Sequence, residues 1–280
     1  ARAMNPSVPR LSYCISDPIR ATRDGEPMSI NSGCRVGSVV MAVVLAICSA
    51  SALAEDNDPR VKLAEQFAGV SVEDIKDSPI PGVYEVAVGA QVAYMTVDGK
   101  YLLRGDLYDL DTNENLTEGR RSEARAAAIR DLDTAEMIVF SPPKAVPLRH
   151  TVTVFTDIDC GYCRKFHDDI DQITARGVEV RYLFFPRTGP NQASWRKAEM
   201  VWCSDDRQAA LTDAKAGENV TSEPCGETPV ASHFGIGEQI GLRGTPGVFT
   251  TSGQYIGGYL APEELLQTLD QLDSAQAAAN

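Results

Sequence analysis

The chain has 280 residues, a net charge of -13 and a hydrophobic fraction of 43%. A chain of this length forms one or two domains, and the hydrophobic fraction is ordinary for a globular protein. The acidic balance argues against a nucleic-acid-binding surface. It identifies no partner, since acidic surfaces are usually just solvated.

Residues 28 to 54 have the pattern of a secretory signal peptide. Arg35 supplies the positive charge near its start, and the apolar stretch from Val36 to Cys48 is too short to span a bilayer. A small-x-small cleavage sequence ends at Ala54, so we expect cleavage there; an uncleaved anchor is the alternative. The residues before this segment show no periodic pattern. We therefore interpret 1–54 as an upstream extension and signal peptide.

Four of the seven cysteines lie beyond the predicted cleavage point. An even number of cysteines in an exported chain suggests two disulfides. These four residues are Cys160, Cys163, Cys203 and Cys225.

Residues 55 to 115 are predicted to form a small α+β domain with an antiparallel sheet. An amphipathic helix is expected at Asp58–Ala68, and a short strand-and-turn element at Val70–Ile75. Three strands follow, at Gly82–Val88, Gln91–Val97 and Tyr101–Leu107, and the last two flank an Asp-Gly hairpin signal. The domain contains no His and no Cys, and it is too small to be very stable alone. We therefore expect it to serve as a scaffold or for dimerisation.

Residues 116 to 135 are predicted to form a linker helix. The stretch Thr117–Asp133 is rich in Glu, Arg and Ala and has few helix breakers. This composition is typical of a solvent-exposed helix that joins two domains. An ordinary surface helix packed on one domain is the alternative.

Residues 136 to 280 are predicted to form an α/β domain, because strands alternate with helices. The main predicted strands are Met137–Phe140, His150–Thr156, Val178–Phe185 and Gln254–Gly257. The predicted helices are Ser194–Cys203, Asp205–Ala216, Thr228–Gly241 and Pro262–Leu272. The first three of these helices make a helical insertion that precedes a Gly-Thr-Pro segment.

A Cys-Gly-Tyr-Cys sequence, from Cys160 to Cys163, directly follows the apolar run Val152–Phe155 and precedes a segment with helical spacing. This strand, turn and helix context favours a redox pair. Unpaired backbone N–H groups and the helix dipole stabilise a thiolate at a helix start, and the thiolate is the form that attacks disulfides. We expect Cys160 to be exposed and nucleophilic, and Cys163 to lie one turn deeper and release the mixed disulfide. Two alternative interpretations of this motif stay open: half of a zinc site, and two cysteines with neither function.

Other polar and aromatic residues near this pair are less informative. We interpret His167 as a solvated helix residue. Asp157 and Asp159 are typical helix-start acids, although one of them could assist proton transfer. Trp195 and Trp202 are interpreted as packing residues.

Four features together resemble the thioredoxin superfamily and, more closely, the periplasmic disulfide isomerases of the DsbC/DsbG type. They are Phe155–Cys163, Tyr182–Arg187, the pair Cys203 and Cys225, and Gly244-Thr245-Pro246. The resemblance covers about 58 to 273. One departure is Arg164, where that family often has His; it adds a positive charge near the thiols.

The resemblance implies a thioredoxin-like catalytic domain with a helical insertion, preceded by a small α+β dimerisation domain and a linker helix. It implies a cis peptide bond at Pro246, opposite the Cys160 sulfur, with the backbone of Thr245 free to pair with an extended substrate. We also expect Cys203 and Cys225, which flank the insertion, to form a structural disulfide.

The preferred interpretation is an exported, homodimeric thiol–disulfide isomerase or reductase that acts on incorrect disulfides in the periplasm. No metal or organic cofactor is needed. By family analogy, a membrane thiol reductase of the DsbD type keeps the pair reduced, and dimerisation through 55–115 frames a client-binding cleft. Three alternatives stay open: a dithiol oxidase of exported proteins, a redox-inactive periplasmic chaperone, and a structural zinc site that uses all four cysteines.

Overall fold

The computed structural model describes residues 58–279. The predicted extension and signal peptide, 1–54, therefore lie outside the described residues. Between residues 58 and 279, no helix is both long and apolar enough to cross a membrane.

The first part of the described chain is built on a four-stranded antiparallel sheet. A short helix, α1 (Pro59–Ala64), precedes it. The strands lie side by side in sequence order: β1 (Ile75–Asp77), β2 (Val83–Val88), β3 (Gln91–Thr96) and β4 (Leu102–Leu103). One face of this sheet and the helix bury a small core of Leu63, Ile75, Tyr84, Val86 and Met95.

The end of this sheet differs from the prediction. The element expected at Val70–Ile75 is a 3-10 turn, Val72–Asp74, that leads into β1. The strand predicted at Tyr101–Leu107 is present but shorter than predicted, since only the two residues of β4 pair with β3. The backbone N–H of Leu107 instead donates to the Thr117 hydroxyl at 2.7 Å. The chain then forms a separate hairpin, β5 (Tyr108–Asp109) with β6 (Glu114–Asn115).

Helix α2 (Leu116–Arg130) connects the first sheet to the second. Near its start, the Thr117 hydroxyl lies 2.6 Å from the Tyr94 hydroxyl of β3. Near its end, Ile129 packs in the same apolar cluster as Phe155 and Phe249 of the following domain. The prediction of a solvent-exposed helix is therefore wrong for one face, because the spacing of three between Ala126 and Ile129 puts two apolar side chains on the same side. The buried residues of α2 are Thr117, Arg125, Ala126 and Ile129.

The second sheet has five strands in the spatial order β11-β10-β8-β9-β7. These are β7 (Ile138–Phe140), β8 (His150–Thr156), β9 (Val178–Phe184), β10 (Gly247–Thr250) and β11 (Tyr255–Gly257). Strands β8 and β9 are parallel and are connected through α3 (Gly161–Asp168) and α4 (Ile170–Thr174). The other neighbouring pairs are antiparallel.

Three helices fill the connection from β9 to β10: α5 (Ala193–Trp202), α6 (Arg207–Ala216) and α7 (Val230–Gln239). Each begins and ends within two residues of its predicted position. The last helix, α8 (Pro262–Ala279), is longer than predicted. The predicted fold class, a thioredoxin-like α/β domain with a helical insertion after a small α+β domain, is confirmed.

Both faces of the second sheet are covered, so consecutive residues of β8 are buried in different layers. Val154 belongs to the larger core, together with Trp195 and Trp202, which confirms that the two tryptophans are packing residues. Phe155 belongs to the other cluster, where its ring packs edge-on against Phe249 at 5.7 Å. The end of β8 is therefore held between two packed layers, directly before the cysteine pair.

Candidate active site

The cysteine pair lies at the start of α3, after the carboxyl end of β8. Cys160 is the N-cap residue, with an extended backbone (φ -84°, ψ 123°), and its carbonyl accepts the Arg164 N–H at 3.0 Å. Cys163 is one turn further along, on the buried side of the helix. Both cysteines are free thiols. The local arrangement of strand, turn and helix is the one that the sequence predicts.

The exposure of Cys160 differs from the prediction. We expected an exposed thiol, but Cys160 is only 3% exposed, and Cys163 is 1% exposed. The loop before β10 covers the first sulfur, because Cys160 Sγ lies 3.2 Å from the carbonyl oxygen of Thr245. Gly161 and Tyr162, between the cysteines, face solvent, and Tyr162 is 66% exposed.

The loop that covers Cys160 contains the Gly-Thr-Pro segment. The Thr245–Pro246 peptide bond is cis, as the resemblance implies. The loop is held in place because β10 pairs with β8 directly after Pro246, with Gly247 opposite Phe155. Apart from the cysteine thiols, the buried Thr245 hydroxyl has no hydrogen-bond partner among the described residues. It is therefore available to donate to a thiolate.

The two thiols have pKa values perturbed in opposite directions. Burial acts to raise the pKa of Cys160, but hydrogen bonds from Thr245 and Cys163 and the charge of Arg187 outweigh it, so the pKa falls below its usual value. For Cys163, burial dominates and raises the pKa, although the charge of Lys215 opposes it. The arrangement therefore favours a thiolate at Cys160 and a protonated thiol at Cys163.

Asp157 is a buried structural carboxylate. Its oxygens accept from the Asp159 N–H at 2.8 Å, from the Arg187 N–H and Nε at 3.0 Å, and from the Ser194 hydroxyl. Burial acts to raise the pKa of Asp157, but these hydrogen bonds outweigh it and hold the pKa below its usual value. Asp157 thus ties the turn before Cys160 to the end of the segment Tyr182–Arg187.

The positive charges with the largest effects on the thiols belong to residues other than Arg164. The Arg164 side chain turns back along the loop, where its Nε donates to the Ile158 carbonyl at 3.1 Å and a terminal nitrogen lies 3.4 Å from Asp159. The charges with the largest effects are those of Arg187 and Lys215. Arg164 is not among the largest influences on the pKa of either thiol, and an effect of its charge on them stays a prediction.

Lys215 is a residue that the sequence reasoning missed. It lies on α6 and is only 2% exposed, and its Nζ donates to the Thr156 hydroxyl at 2.6 Å and to the Asp157 carbonyl at 2.8 Å. Burial lowers the pKa of Lys215 to about 8. One signal could have found it: Lys215 follows Leu211 by four residues, so it shares the apolar face of its helix.

The interpretation of His167 as a solvated residue is wrong. It is buried beside Tyr182, with Nδ1 at 3.1 Å from the Tyr182 hydroxyl and Nε2 at 3.0 Å from the Thr212 hydroxyl. Burial lowers its pKa to about 4. The insertion helix α6 covers this side of α3, which the helical spacing of α3 alone does not reveal.

The other two cysteines of the described chain are joined to each other. Cys203 ends α5, and a disulfide links it to Cys225, which precedes α7, with 5.3 Å between the Cα atoms. The zinc alternative needs four thiolates, and this disulfide removes two of them. Within residues 58–279, no group of three or more His, Cys, Asp or Glu side chains is placed to hold a metal ion.

Comparison with protein families and known proteins identifies relatives over most of the chain. A disulfide bond isomerase N-terminal domain family matches 50–118, and a thioredoxin-like domain family matches 147–273. The thiol:disulfide interchange protein DsbC of Dickeya dadantii is 36% identical over 222 residues, which is 79% of this chain and 90% of that protein. DsbC of Escherichia coli K12 is 33% identical over 234 residues, which is 83% of this chain and 94% of that protein.

Among solved structures, a disulfide interchange protein from Neisseria gonorrhoeae is 28% identical. It covers 49% of this chain and 97% of its own length, with a TM-score of 0.43.

Proposed function

The chain belongs to the DsbC family of thiol:disulfide interchange proteins, and we propose that it rearranges incorrect disulfides in exported proteins through Cys160 and Cys163. The observation that carries this proposal is the opposite perturbation of two thiols three residues apart, with a lowered pKa at Cys160 and a raised pKa at Cys163. One thiol is thus prepared to attack, and the other is kept protonated until it is needed.

The reaction begins with the Cys160 thiolate. It attacks one sulfur of a client disulfide, so that a bond forms between Cys160 and that sulfur while the second client sulfur leaves as a thiolate. Isomerisation follows when another client thiolate attacks the mixed disulfide, forms a new client disulfide and restores the Cys160 thiolate. Reduction follows when Cys163 attacks instead. The pair is then oxidised to a disulfide, and the client leaves with two reduced cysteines.

Thr245 and Pro246 are proposed to bind the client beside the reacting sulfur. The Thr245 carbonyl is 3.2 Å from Cys160 Sγ, so a client segment that lies over this sulfur also lies beside the backbone of the loop. An extended client segment can then pair with that backbone by strand addition. Such binding depends on main-chain atoms, which suits an enzyme that acts on many sequences.

The exposed apolar side chains at one edge of the first sheet support a homodimer formed through 55–115. β4 lies at this edge, and β3 is its strand partner among the described residues. Leu102 and Leu103 are 48% and 63% exposed, and Tyr101 beside them is 71% exposed. An apolar edge strand is a template for pairing with another chain. A second copy paired along β4 would cover these side chains.

The cellular setting follows from the need for a reduced pair. Rearrangement starts from the Cys160 thiolate, so an oxidised pair is inactive as an isomerase. The predicted signal segment within 1–54 would deliver the protein to the periplasm. There, a membrane thiol reductase of the DsbD type would return the pair to the dithiol after each reductive turnover.

The experiment that tests the proposal compares two client reactions under matched conditions. The reduced protein is added to a scrambled multi-disulfide client, and the oxidised protein to the fully reduced client. We expect the reduced protein to recover native client from the scrambled form with catalytic turnover. A protein that oxidises the reduced client but does not rearrange the scrambled one would be a dithiol oxidase, and the proposal would be wrong.

A further inference from the structure

Lys215 is a buried charged group for which the reaction described above has no role. Its Nζ donates to one hydroxyl and one carbonyl, at the end of β8 and in the following turn. Among residues 58–279, no carboxylate forms an ion pair with it, and the nearby Asp157 carboxylate is occupied by other donors. A buried ammonium without a counter-ion is destabilising, so a charged partner that forms only during the reaction would explain its position.

The partner that the geometry offers is Cys163. The Thr156 hydroxyl and the Asp157 carbonyl accept from Lys215, and Thr156 and the Asp157 backbone also act to lower the pKa of Cys163. The two side chains therefore lie near the same polar groups at the end of β8, with Lys215 on α6 and Cys163 on α3. Both are almost fully buried, so water does not screen the interaction between the ammonium and a thiolate.

We propose that the ammonium of Lys215 is a positioning group that stabilises the Cys163 thiolate and thereby sets how long the mixed disulfide between Cys160 and a client lasts. This inference rests on the proposed function, because it concerns the step that ends the mixed disulfide. In that step, the Cys163 thiolate attacks the Cys160 sulfur, the bond between Cys160 and the client breaks, and the client sulfur leaves as a thiolate that solvent protonates.

The lifetime of the mixed disulfide decides whether a client is reduced or its disulfides are rearranged. A short lifetime favours release of a reduced client, whereas a long lifetime gives other client thiols time to attack and rearrange the disulfide. Lys215 shortens this lifetime because its charge opposes the effect of burial and so increases the small fraction of Cys163 that is a thiolate at neutral pH. It therefore shifts the protein toward reduction and away from rearrangement.

The groups around Cys163 and Lys215 determine how the rate of attack by Cys163 depends on pH. The charged and titratable groups that face it are Cys160, Asp157, Arg164, His167, Tyr182 and Arg187. In the mixed disulfide, Cys160 is bonded to the client and does not titrate. His167 is neutral above its pKa of about 4. Burial raises the pKa of Tyr182 well above its usual value, so it stays protonated near neutral pH. Asp157 stays ionised and the arginines stay protonated near neutral pH. Cys163 and Lys215 are then the groups that titrate between neutral and alkaline pH.

The test uses the full-length protein and a chromogenic aryl disulfide in stopped flow. Attack by Cys160 releases a first coloured thiolate and leaves an aryl mixed disulfide, and attack by Cys163 then releases the second. The variant Lys215→Met removes the charge, and Lys215→Gln removes the charge but keeps hydrogen-bonding capacity. Lys165→Met is the matched control, because Lys165 is on the same helix as Cys163 but exposed.

We expect both Lys215 variants to slow the second release by about threefold to tenfold near neutral pH. If the pKa of Cys163 rises by one unit, the fraction of Cys163 that is a thiolate at neutral pH falls about tenfold. Each remaining thiolate is about threefold more nucleophilic, so the rate falls about threefold per unit. The difference should shrink as the pH rises above about 8, because the Lys215 amine of the wild-type protein then loses its charge. A merely structural role for Lys215 would slow the second release equally at every pH.

The outcomes separate the two proposals. If the wild-type protein gives no first release, the proposed function is wrong. If it gives both releases and the Lys215 variants match it at every pH, or are equally slower at every pH, the role of Lys215 is wrong. Should Lys215→Met fold poorly, Lys215→Gln gives the same comparison, and a pH-dependent loss in that variant alone supports the proposal.

Discussion

The Sγ atom of Cys160 lies 3.2 Å from the carbonyl oxygen of Thr245, so the proposed nucleophile is in contact with a loop that is distant in sequence. This contact buries the sulfur and brings a backbone acceptor and a buried hydroxyl to it. The site therefore combines a helix start, which the Cys-x-x-Cys motif indicates, with a loop that only the fold brings there. The chemistry of Cys160 depends on both.

The first prediction concerns the two proposed catalytic thiols. Cys160→Ser should abolish insulin reduction and the refolding of scrambled clients, because no other free thiol among the described residues can form the mixed disulfide from that position. Cys163→Ser should instead accumulate mixed disulfides with clients, because release through attack by Cys163 is lost. Non-reducing electrophoresis and mass spectrometry measure the adducts. Full activity in Cys160→Ser would contradict the redox assignment.

The second prediction tests the electrostatics of Cys160. The charge of Arg187 favours the Cys160 thiolate, although burial and the hydrogen bonds from Thr245 have larger effects on its pKa. Arg187→Gln should therefore raise the pKa of Cys160 and slow its alkylation near neutral pH several-fold. Thiolate absorbance and alkylation rate as functions of pH give both quantities. Arg196→Gln is the control, since Arg196 bonds the Asn191 carbonyl on the surface; an equal effect in both variants would contradict the prediction.

The sequence indicates the local structure of the site better than its surroundings. The apolar run before Cys160 and the spacing after Cys163 predict the strand, turn and helix, because periodicity is a local property. The burial of Cys160 was not predicted, because it depends on a loop contributed by a distant segment. The same reason explains the error at His167, because insertion helix α6 covers it and the spacing of α3 does not encode that packing. For Lys215, the helical spacing from Leu211 indicates the buried face but not the thiols that lie near it.

The third prediction concerns acid stability. His167 and His233 are buried, and burial lowers the pKa of each to about 4. In the unfolded chain these residues bind protons near pH 6.5, so the unfolded state holds more protons between pH 6.5 and 4. The free energy of unfolding should therefore fall as the pH falls through this window, by about 3 kcal/mol for each histidine.

Urea unfolding at several pH values measures this slope. His167→Gln and His233→Gln should each reduce it, and the double variant should reduce it further. Carboxylates with lowered pKa, such as Asp157, contribute only at lower pH, so they do not mimic the effect. An unchanged slope in the double variant would show that other groups cause the acid sensitivity.

The fourth prediction concerns the disulfide between Cys203 and Cys225. It closes a loop across 22 residues of sequence. Replacing both cysteines by Ala should lower the free energy of unfolding by about 3 kcal/mol on the chain-entropy model. Urea unfolding measures the change, and the alkylation rate of Cys160 should stay the same because the disulfide stabilises the insertion rather than the thiols. Free thiols at both positions in protein isolated from an oxidising compartment would count against a structural role.

The last prediction concerns the edge of the first sheet. Leu103 lies on the edge strand β4, where it pairs with Tyr94 of β3. Its side chain is 63% exposed, and pairing of β4 with a second copy of the chain would cover it. Leu103→Glu should weaken the dimer more than about tenfold, because two-fold symmetry places the new charge in the interface twice. Sedimentation measures this, and Leu110→Glu is the control: Leu110 is 89% exposed but lies outside β4.

The same variant separates two activities. A monomeric Leu103→Glu should still reduce small disulfides, because Cys160, Cys163 and Pro246 lie in the second domain and remain unchanged. It should lose most of its isomerase activity on a multi-disulfide client, because rearrangement needs the client to be held non-covalently between two sites while the mixed disulfide lasts. A wild-type protein that sediments as a monomer would contradict the dimer. A monomeric variant that isomerises at the full rate would instead show that one catalytic domain alone holds the client for long enough.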